Sequence, residues 1–182
     1  MKKLTFLVAS VSGVGHTFAC VGTMTPFLEK GHRVVFFIEE PFRGKLAAKG
    51  FEEYVYNTNI QNGHEGKDNN PAKQVAKTLF EFKIVGPGTI EEKISNVVRL
   101  CFGSEWGKLN VIQSDKCLKE AIEKINPDCF VVDSENLLPS IYYSGKPWIK
   151  HISTGPLHHY IEEDLPPSSC GNLVIYLTQS IL

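Results

Sequence analysis

The chain has 182 residues, of which 42% are hydrophobic and 21% are charged. This length and composition fit one folded domain with a buried core and argue against bulk disorder. The formal net charge of -1 at pH 7 gives no electrostatic reason to expect nucleic acid or a membrane surface as a partner. No apolar run in the sequence is long enough to span a bilayer.

The cysteines and the N-terminus bear on the cellular compartment. The cysteines are odd in number and form no CxxC pair, which is typical of small buried thiols rather than of disulfides or metal ligands. They are Cys20, Cys101, Cys117, Cys129 and Cys170. The N-terminal "MKKLTFLVASVSG" has some features of a signal peptide, but its apolar run is short and its removal would remove a strand. We therefore expect a reducing, cytoplasmic location, with secretion less favoured.

The N-terminal third of the chain alternates predicted strands and helices. In order, these are a continuous apolar strand at 4–10, a helix at 16–30, a strand at 33–39, a short helix at 41–50 and a half-exposed strand at 51–56. Gly31 is expected to end the first helix, and Pro26 to kink or interrupt it. This order with short connections indicates the first half of a doubly wound parallel sheet.

The remainder continues this pattern after a long polar loop at 57–73. Two or three helical stretches are predicted between residues 71 and 126, with interruptions at "VGPGT" and "FGSEWG". A buried strand at "PDCFVVD", a helix at "NLLPSIYYSG" and a strand at "PWIKHIS" follow. We therefore predict an α/β fold, a Rossmann-like parallel sheet with helices on both faces.

The turn after the first strand, "ASVSGVGHTFAC", first suggests a phosphate-binding loop. Gly13 and Gly15 are spaced as in such a turn before a helix, and Glu39 or Glu40 could supply the acid that follows the second strand. However, Phe18 occupies the position of the third glycine, and its ring opposes close packing of the helix on the sheet. A dinucleotide-binding module therefore remains an alternative.

The same turn can instead present His16 above the carboxyl ends of the strands, where open α/β sheets bind ligands. The positive end of a helix favours the neutral imidazole that a general base requires. Asp133 ends the fourth predicted strand at the same edge, so it can accept the imidazole N–H and fix the tautomer. Asp128, at the start of that strand, is interpreted as a turn residue at the opposite edge. Helix capping remains the other interpretation of both His16 and Asp133.

Other histidines have less specific interpretations. His32 is interpreted as a surface turn residue. His151, His158 and His159 follow the fifth predicted strand, where they could line a ligand pocket or simply be solvated. A zinc site built from these three would need a fourth ligand that the sequence does not identify.

Three segments resemble one enzyme family. "GVGHTFACVGTMTPFLEKGHRVVFFIEEPFRGKL" is similar to the start of UDP-dependent glycosyltransferases of the GT-B type, which have two Rossmann-like domains and a Gly/His turn after the first strand. "PDCFVVDSENLLPSIYYSGKPWI" is similar to the strand that carries their second catalytic residue, together with the next helix. "EEDLPPSSCG" resembles the proline-rich region near the end of their N-terminal domain. The resemblance covers most of residues 4–171.

The resemblance implies the N-terminal, acceptor-binding half of an inverting UDP-glycosyltransferase, a hexosyltransferase. His16 would act as base on a hydroxyl of a small lipophilic acceptor, assisted by Asp133. The donor substrate would be a UDP-sugar, and neither a cofactor nor a metal is expected. Residues expected to contact the acceptor are Gly15, Thr17, Phe18, Ser134, His151 and Thr154.

The sequence departs from the family in one respect, because nothing in it resembles the second domain that binds the nucleotide sugar. We expect residues 1–171 to form the acceptor-binding domain and residues 172–182 to be a truncated or atypical tail. The chain is expected to lack turnover by itself. A non-catalytic protein that binds small molecules is therefore a further alternative.

Overall fold

The structure, a computed structural model, describes residues 2–58, 71–103, 105–134 and 138–153. Its strands and helices are β1 (Thr5–Ser10), α1 (Val14–Glu29), β2 (Arg33–Glu39), β3 (Glu52–Tyr56), α2 (Pro71–Glu81), α3 (Ile90–Val98), α4 (Glu105–Ile125), β4 (Cys129–Asp133), α5 (Pro139–Tyr142) and β5 (Trp148–Lys150). None of these helices has both the length and the apolar character needed to cross a bilayer. Most of the predicted polar loop, at 59–70, and the whole predicted tail, at 172–182, lie outside the described residues.

The strands form one parallel sheet in the order β3-β2-β1-β4-β5. The chain moves outward from β1 to β3 and then returns to the other side of β1 for β4 and β5. The carboxyl ends of β1 and β4 are adjacent, with Ser10 in register with Asp133. This is the point where the strand order reverses, and open α/β sheets bind their ligands there.

Both faces of the sheet are covered, which explains why its central strands are continuous apolar runs. On one face, Cys20 and Met24 of α1 pack with alternate strand residues such as Phe36. On the other face, Leu118 of α4 packs with the intervening strand residues, including Phe130. Both phenylalanines are fully buried, and each such ring contributes about 1.5–3 kcal/mol. The predicted α/β class, with helices on both faces, is confirmed.

Some element boundaries differ from the prediction. The segment 41–50 is not a helix but two short 3₁₀ turns, Glu40–Phe42 and Ala47–Lys49. Gly44 lies between them with φ of +80°, a conformation that no right-handed helix contains. The helix predicted at "NLLPSIYYSG" is restricted to Pro139–Tyr142 among the residues described there. α1 runs unbroken through Pro26, which lies in its last turn, where its missing N–H costs one hydrogen bond.

The end of α1 shows why His32 is not a surface residue. The His32 N–H donates to the Phe27 carbonyl at 3.0 Å and the Gly31 N–H donates to the Leu28 carbonyl at 2.8 Å, which together form a Schellman motif. Gly31 has φ of +77°, as expected for the residue just past a helix end. His32 is only 7% exposed, and its Nδ1 accepts the Leu4 N–H at 3.0 Å. The ring therefore packs inward, and its hydrogen bond with Leu4 holds the residue that precedes β1.

Candidate active site

The N-terminus of α1 holds His16 above the carboxyl end of β1. Gly13 caps the helix in an extended conformation without a side-chain hydrogen bond. A Cβ atom at Gly13 would lie 3.3 Å from Cδ2 of His16, so a larger residue would press on the imidazole. The first helical turn, "VGHT", contains no acidic side chain to offset the positive end of the helix dipole. His16 therefore lies at the positive end of the helix dipole, and the small size of Gly13 leaves room for its imidazole.

Asp133 reaches the same place from β4. Successive strand residues point to opposite faces, so Asp133 shares its face with Cys129 and Val131, the face that α1 covers. Its side chain is 6% exposed. Its backbone carbonyl accepts the N–H of Val11 at 2.8 Å, which ties the turn after β1 to the end of β4. The alternation of β4 thus buries the carboxylate beneath α1.

The two side chains form a pair. His16 Nδ1 lies 3.1 Å from Asp133 Oδ2 and 2.8 Å from the hydroxyl oxygen of Ser153. A carboxylate can only accept hydrogen bonds, so Nδ1 is the protonated nitrogen of the neutral ring and Nε2 keeps its lone pair. In this tautomer the histidine can accept a proton through Nε2. The His16 side chain is 29% exposed.

The contacts of Asp133 keep it ionised. Burial raises its pKa, but hydrogen bonds from the Ser153 hydroxyl, from His16 and from the Ser153 backbone outweigh burial and hold the pKa below its ordinary value. The Ser153 N–H lies 3.4 Å from Oδ1. The carboxylate is therefore negatively charged at neutral pH and can stabilise an imidazolium at His16.

A second histidine, His151, approaches Asp133 from the residue that follows β5. His151 Nδ1 lies 3.7 Å from Asp133 Oδ2 and 3.6 Å from the sulfur of Cys20. Its Nε2 lies 2.9 Å from the hydroxyl oxygen of Thr23. Burial, followed by the negative charge of Asp133, raises the pKa of the Cys20 thiol to about 12, so the thiol is protonated at neutral pH.

The remaining residues predicted to contact an acceptor lie at different depths. Gly15 is exposed, and Phe18 is 39% exposed with the Lys49 ammonium 5.6 Å from its ring centroid. Thr17 is 1% exposed, and its hydroxyl oxygen lies 3.3 Å from that of Ser10, so it faces the protein rather than a ligand. Ser134 is half-buried, and its carbonyl accepts a hydrogen bond from the Lys150 ammonium.

Thr154, His158 and His159 were also candidate ligand contacts, and they lie outside the described residues. The acids considered for a dinucleotide site are already bonded within the protein. Glu39 accepts the Tyr56 hydroxyl at 3.2 Å, and Glu40 forms a bidentate pair with Arg43 at 2.6 and 2.7 Å. These contacts give the dinucleotide interpretation little support.

Sequence reasoning missed three side chains of this cluster, although spacing could have identified them. Cys20 and Thr23 follow His16 by four and seven residues, which places all three on one face of a helix. Ser153 follows His151 by two residues, the period that returns a side chain to the same side of an extended chain. The missing information was which face of α1 meets β4 and β5.

The fold is similar to part of two solved glycosyltransferases of the GT-B type. CalG4, the calicheamicin glycosyltransferase, matches with a TM-score of 0.50 and 17% identity, over 100% of this chain and 38% of that one. SsfS6, a glycosyltransferase of Streptomyces sp. SF2575, matches with a TM-score of 0.52 and 14% identity, over 80% of this chain and 38% of that one. This chain therefore spans less than two fifths of the length of either enzyme.

Comparisons of sequence alone add nothing to this likeness. No protein-family model matches the chain, and no curated protein matches it either. At 14–17% identity the structural matches establish a shared fold. The chain is an α/β protein whose parallel sheet corresponds to part of a GT-B glycosyltransferase.

Proposed function

We propose that this chain is the acceptor-binding half of an inverting glycosyltransferase that moves a sugar from a UDP-sugar to a hydroxyl of a small lipophilic molecule. The observation that carries the proposal is the 3.1 Å contact between His16 Nδ1 and Asp133 Oδ2. The pair lies where the strand order reverses, in a sheet that resembles part of known glycosyltransferases. A positioned imidazole with a buried carboxylate behind it suits proton abstraction from a hydroxyl.

In the proposed reaction, Nε2 of His16 takes the proton of the acceptor hydroxyl while the hydroxyl oxygen attacks the anomeric carbon. The bond from that carbon to the nucleotide diphosphate breaks on the opposite face, which inverts the configuration. The imidazolium is stabilised by Asp133 through the Nδ1–H hydrogen bond. The family resemblance assigns the UDP-sugar to a second Rossmann-like domain, so donor placement requires residues beyond the part that this chain matches.

The surface beside His16 suits a partly apolar acceptor. Val14 and Phe18 on α1 are 64% and 39% exposed, and Val11 in the preceding turn is 37% exposed. Apolar side chains around a few polar groups are typical of small-molecule sites. We infer that such an acceptor packs on these side chains while its hydroxyl meets His16.

This inference is tested by ligand-detected NMR on the 182-residue chain with a flavonoid-like phenol, UDP and NAD. The phenol is expected to bind more tightly than either nucleotide, because the surface offers apolar contact and an imidazole, whereas Glu39 and Glu40, the acids considered for a ribose, are bonded to Tyr56 and Arg43. Replacing Val14 by Ser should weaken phenol binding, whereas Val97→Ser, at an exposed apolar position on α3, should not. Tight NAD binding without phenol binding would favour the dinucleotide alternative and contradict the proposal.

A further inference from the structure

Three side chains around Asp133 converge in a way that the proposed reaction does not use. The sulfur of Cys20, Nδ1 of His151 and Oδ2 of Asp133 lie 3.6, 3.7 and 3.9 Å apart in pairs. The point equidistant from these atoms lies about 2.2 Å from each, and zinc binds cysteine sulfur at about 2.3 Å and histidine nitrogen or carboxylate oxygen at about 2.0–2.2 Å. The three atoms are thus spaced as ligands of one metal ion.

The hydrogen bonds of Thr23 give His151 the tautomer that metal binding requires. The Thr23 hydroxyl lies 3.2 Å from the Ala19 carbonyl, which can only accept, so the hydroxyl proton is directed there. The Thr23 oxygen is then an acceptor for the Nε2–H of His151 at 2.9 Å. The lone pair of the neutral ring consequently lies on Nδ1, which faces Cys20 and Asp133. Metal-bound histidines are commonly oriented by such a bond to the other ring nitrogen.

Two acceptors of this cluster face each other. Among the described residues, the weak S–H of Cys20 is the donor that lies between the Nδ1 lone pair of His151 and the Asp133 carboxylate, which also accepts hydrogen bonds from His16 and Ser153. Cys20 is fully buried, and the His151 side chain is 16% exposed. The more exposed His16 ring borders the same carboxylate. A borderline-soft cation suits mixed sulfur, nitrogen and oxygen donors better than Mg²⁺ or Ca²⁺ does.

We propose that Cys20, Asp133 and His151 form a binding site for a divalent cation of the zinc class, with a fourth position open to water. Binding forms a metal–sulfur bond and releases the Cys20 thiol proton to solvent. The cation takes Oδ2 of Asp133, the oxygen that His16 also contacts. A divalent cation there neutralises the charge of Asp133 and repels the imidazolium that proton abstraction forms at His16, so the ion acts as an inhibitor of any reaction that uses the pair.

The test is titration of the full 182-residue chain with CoCl₂, followed by visible and near-ultraviolet absorption. One Co²⁺ per chain is expected, with the band pattern of a four-coordinate site, a thiolate-to-metal charge-transfer band and displacement by Zn²⁺. Cys20→Ser should abolish the charge-transfer band. Cys129→Ser is the matched control, because Cys129 is the other buried thiol of the same core cluster, and it should change nothing. The readout needs no sugar donor, so it is independent of the proposed function.

A second pair of variants leaves all three ligands in place. Thr23→Val removes the acceptor for the His151 Nε2–H and should weaken Co²⁺ binding about 10–100-fold. Thr25→Val is its control: Thr25 makes the same kind of bond to the helix backbone, to the Val21 carbonyl at 2.7 Å, and its side chain is not among the contacts of His151. Absence of Co²⁺ binding, a charge-transfer band that survives Cys20→Ser, or equal effects of the two threonine changes would overturn the proposal.

Discussion

At the scale of single residues, the chemistry converges on Asp133. Its Oδ2 atom lies 3.1 Å from His16, 3.7 Å from His151 and 3.9 Å from Cys20, while Oδ1 accepts the Ser153 N–H. A divalent cation on that oxygen would repel an imidazolium at His16, so the proposed metal site and the proposed base compete for the charge of Asp133. The occupancy of Asp133 would therefore determine whether an imidazolium at His16 is stabilised.

Catalysis can be tested in a chain completed with the donor domain of a related glycosyltransferase. In that protein His16→Ala should lower turnover about 10²–10⁴-fold, because a positioned base contributes about that much. Asp133→Asn should cost a similar amount or less, since the amide can no longer fix the Nδ1–H tautomer or stabilise its charge. Turnover at saturating substrate is the measurement, with circular dichroism to confirm that the variants fold.

Asp128→Asn is the matched control. Asp128 lies at the opposite end of β4, where its Oδ2 accepts the Thr5 N–H at 2.8 Å. An asparagine keeps an acceptor there, so turnover should be nearly unchanged. If Asp128→Asn were the damaging change and Asp133→Asn silent, the assignment of the carboxylate would be wrong.

Residue-level prediction succeeded where one strand end and one helix start determine the position. His16 and Asp133 could be paired from sequence because parallel strands bring their carboxyl ends to one edge. Cys20 was interpreted only as a small buried thiol, since its neighbours Asp133 and His151 are more than a hundred residues away in the sequence. His32 was misassigned because its burial depends on Phe6 and Phe27, whose rings lie 5.7 and 6.1 Å from the imidazole. Such contacts are not encoded in any local pattern.

At the scale of elements, long apolar segments were predictable and short ones were not. β1, β2 and α1 follow from apolar runs and from glycine at a helix end, which are local properties. The segment 41–50 depends on a contact from the next strand instead. Both carboxylate oxygens of Glu53 in β3 accept backbone N–H groups from Gly44, Leu46 and Ala47, at 2.7, 2.7 and 2.9 Å. A helix would have used these N–H groups internally, so the tertiary contact selects the turns.

Glu53→Gln is expected to destabilise the fold at neutral pH and less so in acid. Burial raises the pKa of Glu53, but its three backbone hydrogen bonds and Arg43 outweigh burial and lower it. The stabilisation is therefore complete above the unfolded-state pKa and is lost as the pH falls through the lower folded-state pKa. After allowance for solvent screening, the loss at pH 7 should be about 1 kcal/mol and should shrink below about pH 4. Urea unfolding at both pH values measures it.

Glu52→Gln provides the comparison on the neighbouring residue. Glu52 pairs with Arg33 through its side chain, at 2.7 and 2.8 Å, and does not accept from the turn. Amide hydrogen exchange at Leu46 and Ala47 should accelerate in Glu53→Gln and remain unchanged in Glu52→Gln. Equal exchange in the two variants would mean that Glu53 does not hold these turns.

At the scale of the whole molecule, the chain corresponds to 38% of CalG4 and 38% of SsfS6. We expect no glycoside from the 182 residues alone, because placement of the sugar and stabilisation of the leaving diphosphate would require groups outside them. Incubation with several nucleotide sugars and a panel of phenols and alcohols, analysed by mass spectrometry, is the measurement. A glycoside formed at a rate that His16→Ala abolishes would show that the chain is sufficient by itself.

The hydrogen bond between the Val11 N–H and the Asp133 carbonyl has a mechanical consequence. Val11 belongs to the turn after β1, yet its amide continues the hydrogen-bonding of the sheet. The backbone pairing of Ser10 and Val11 with Asp133 therefore fixes where the turn that leads to His16 begins relative to the carboxylate. In the proposed two-domain enzyme, opening and closing would carry base and carboxylate as one rigid body, and the donor would be the component that is brought into alignment.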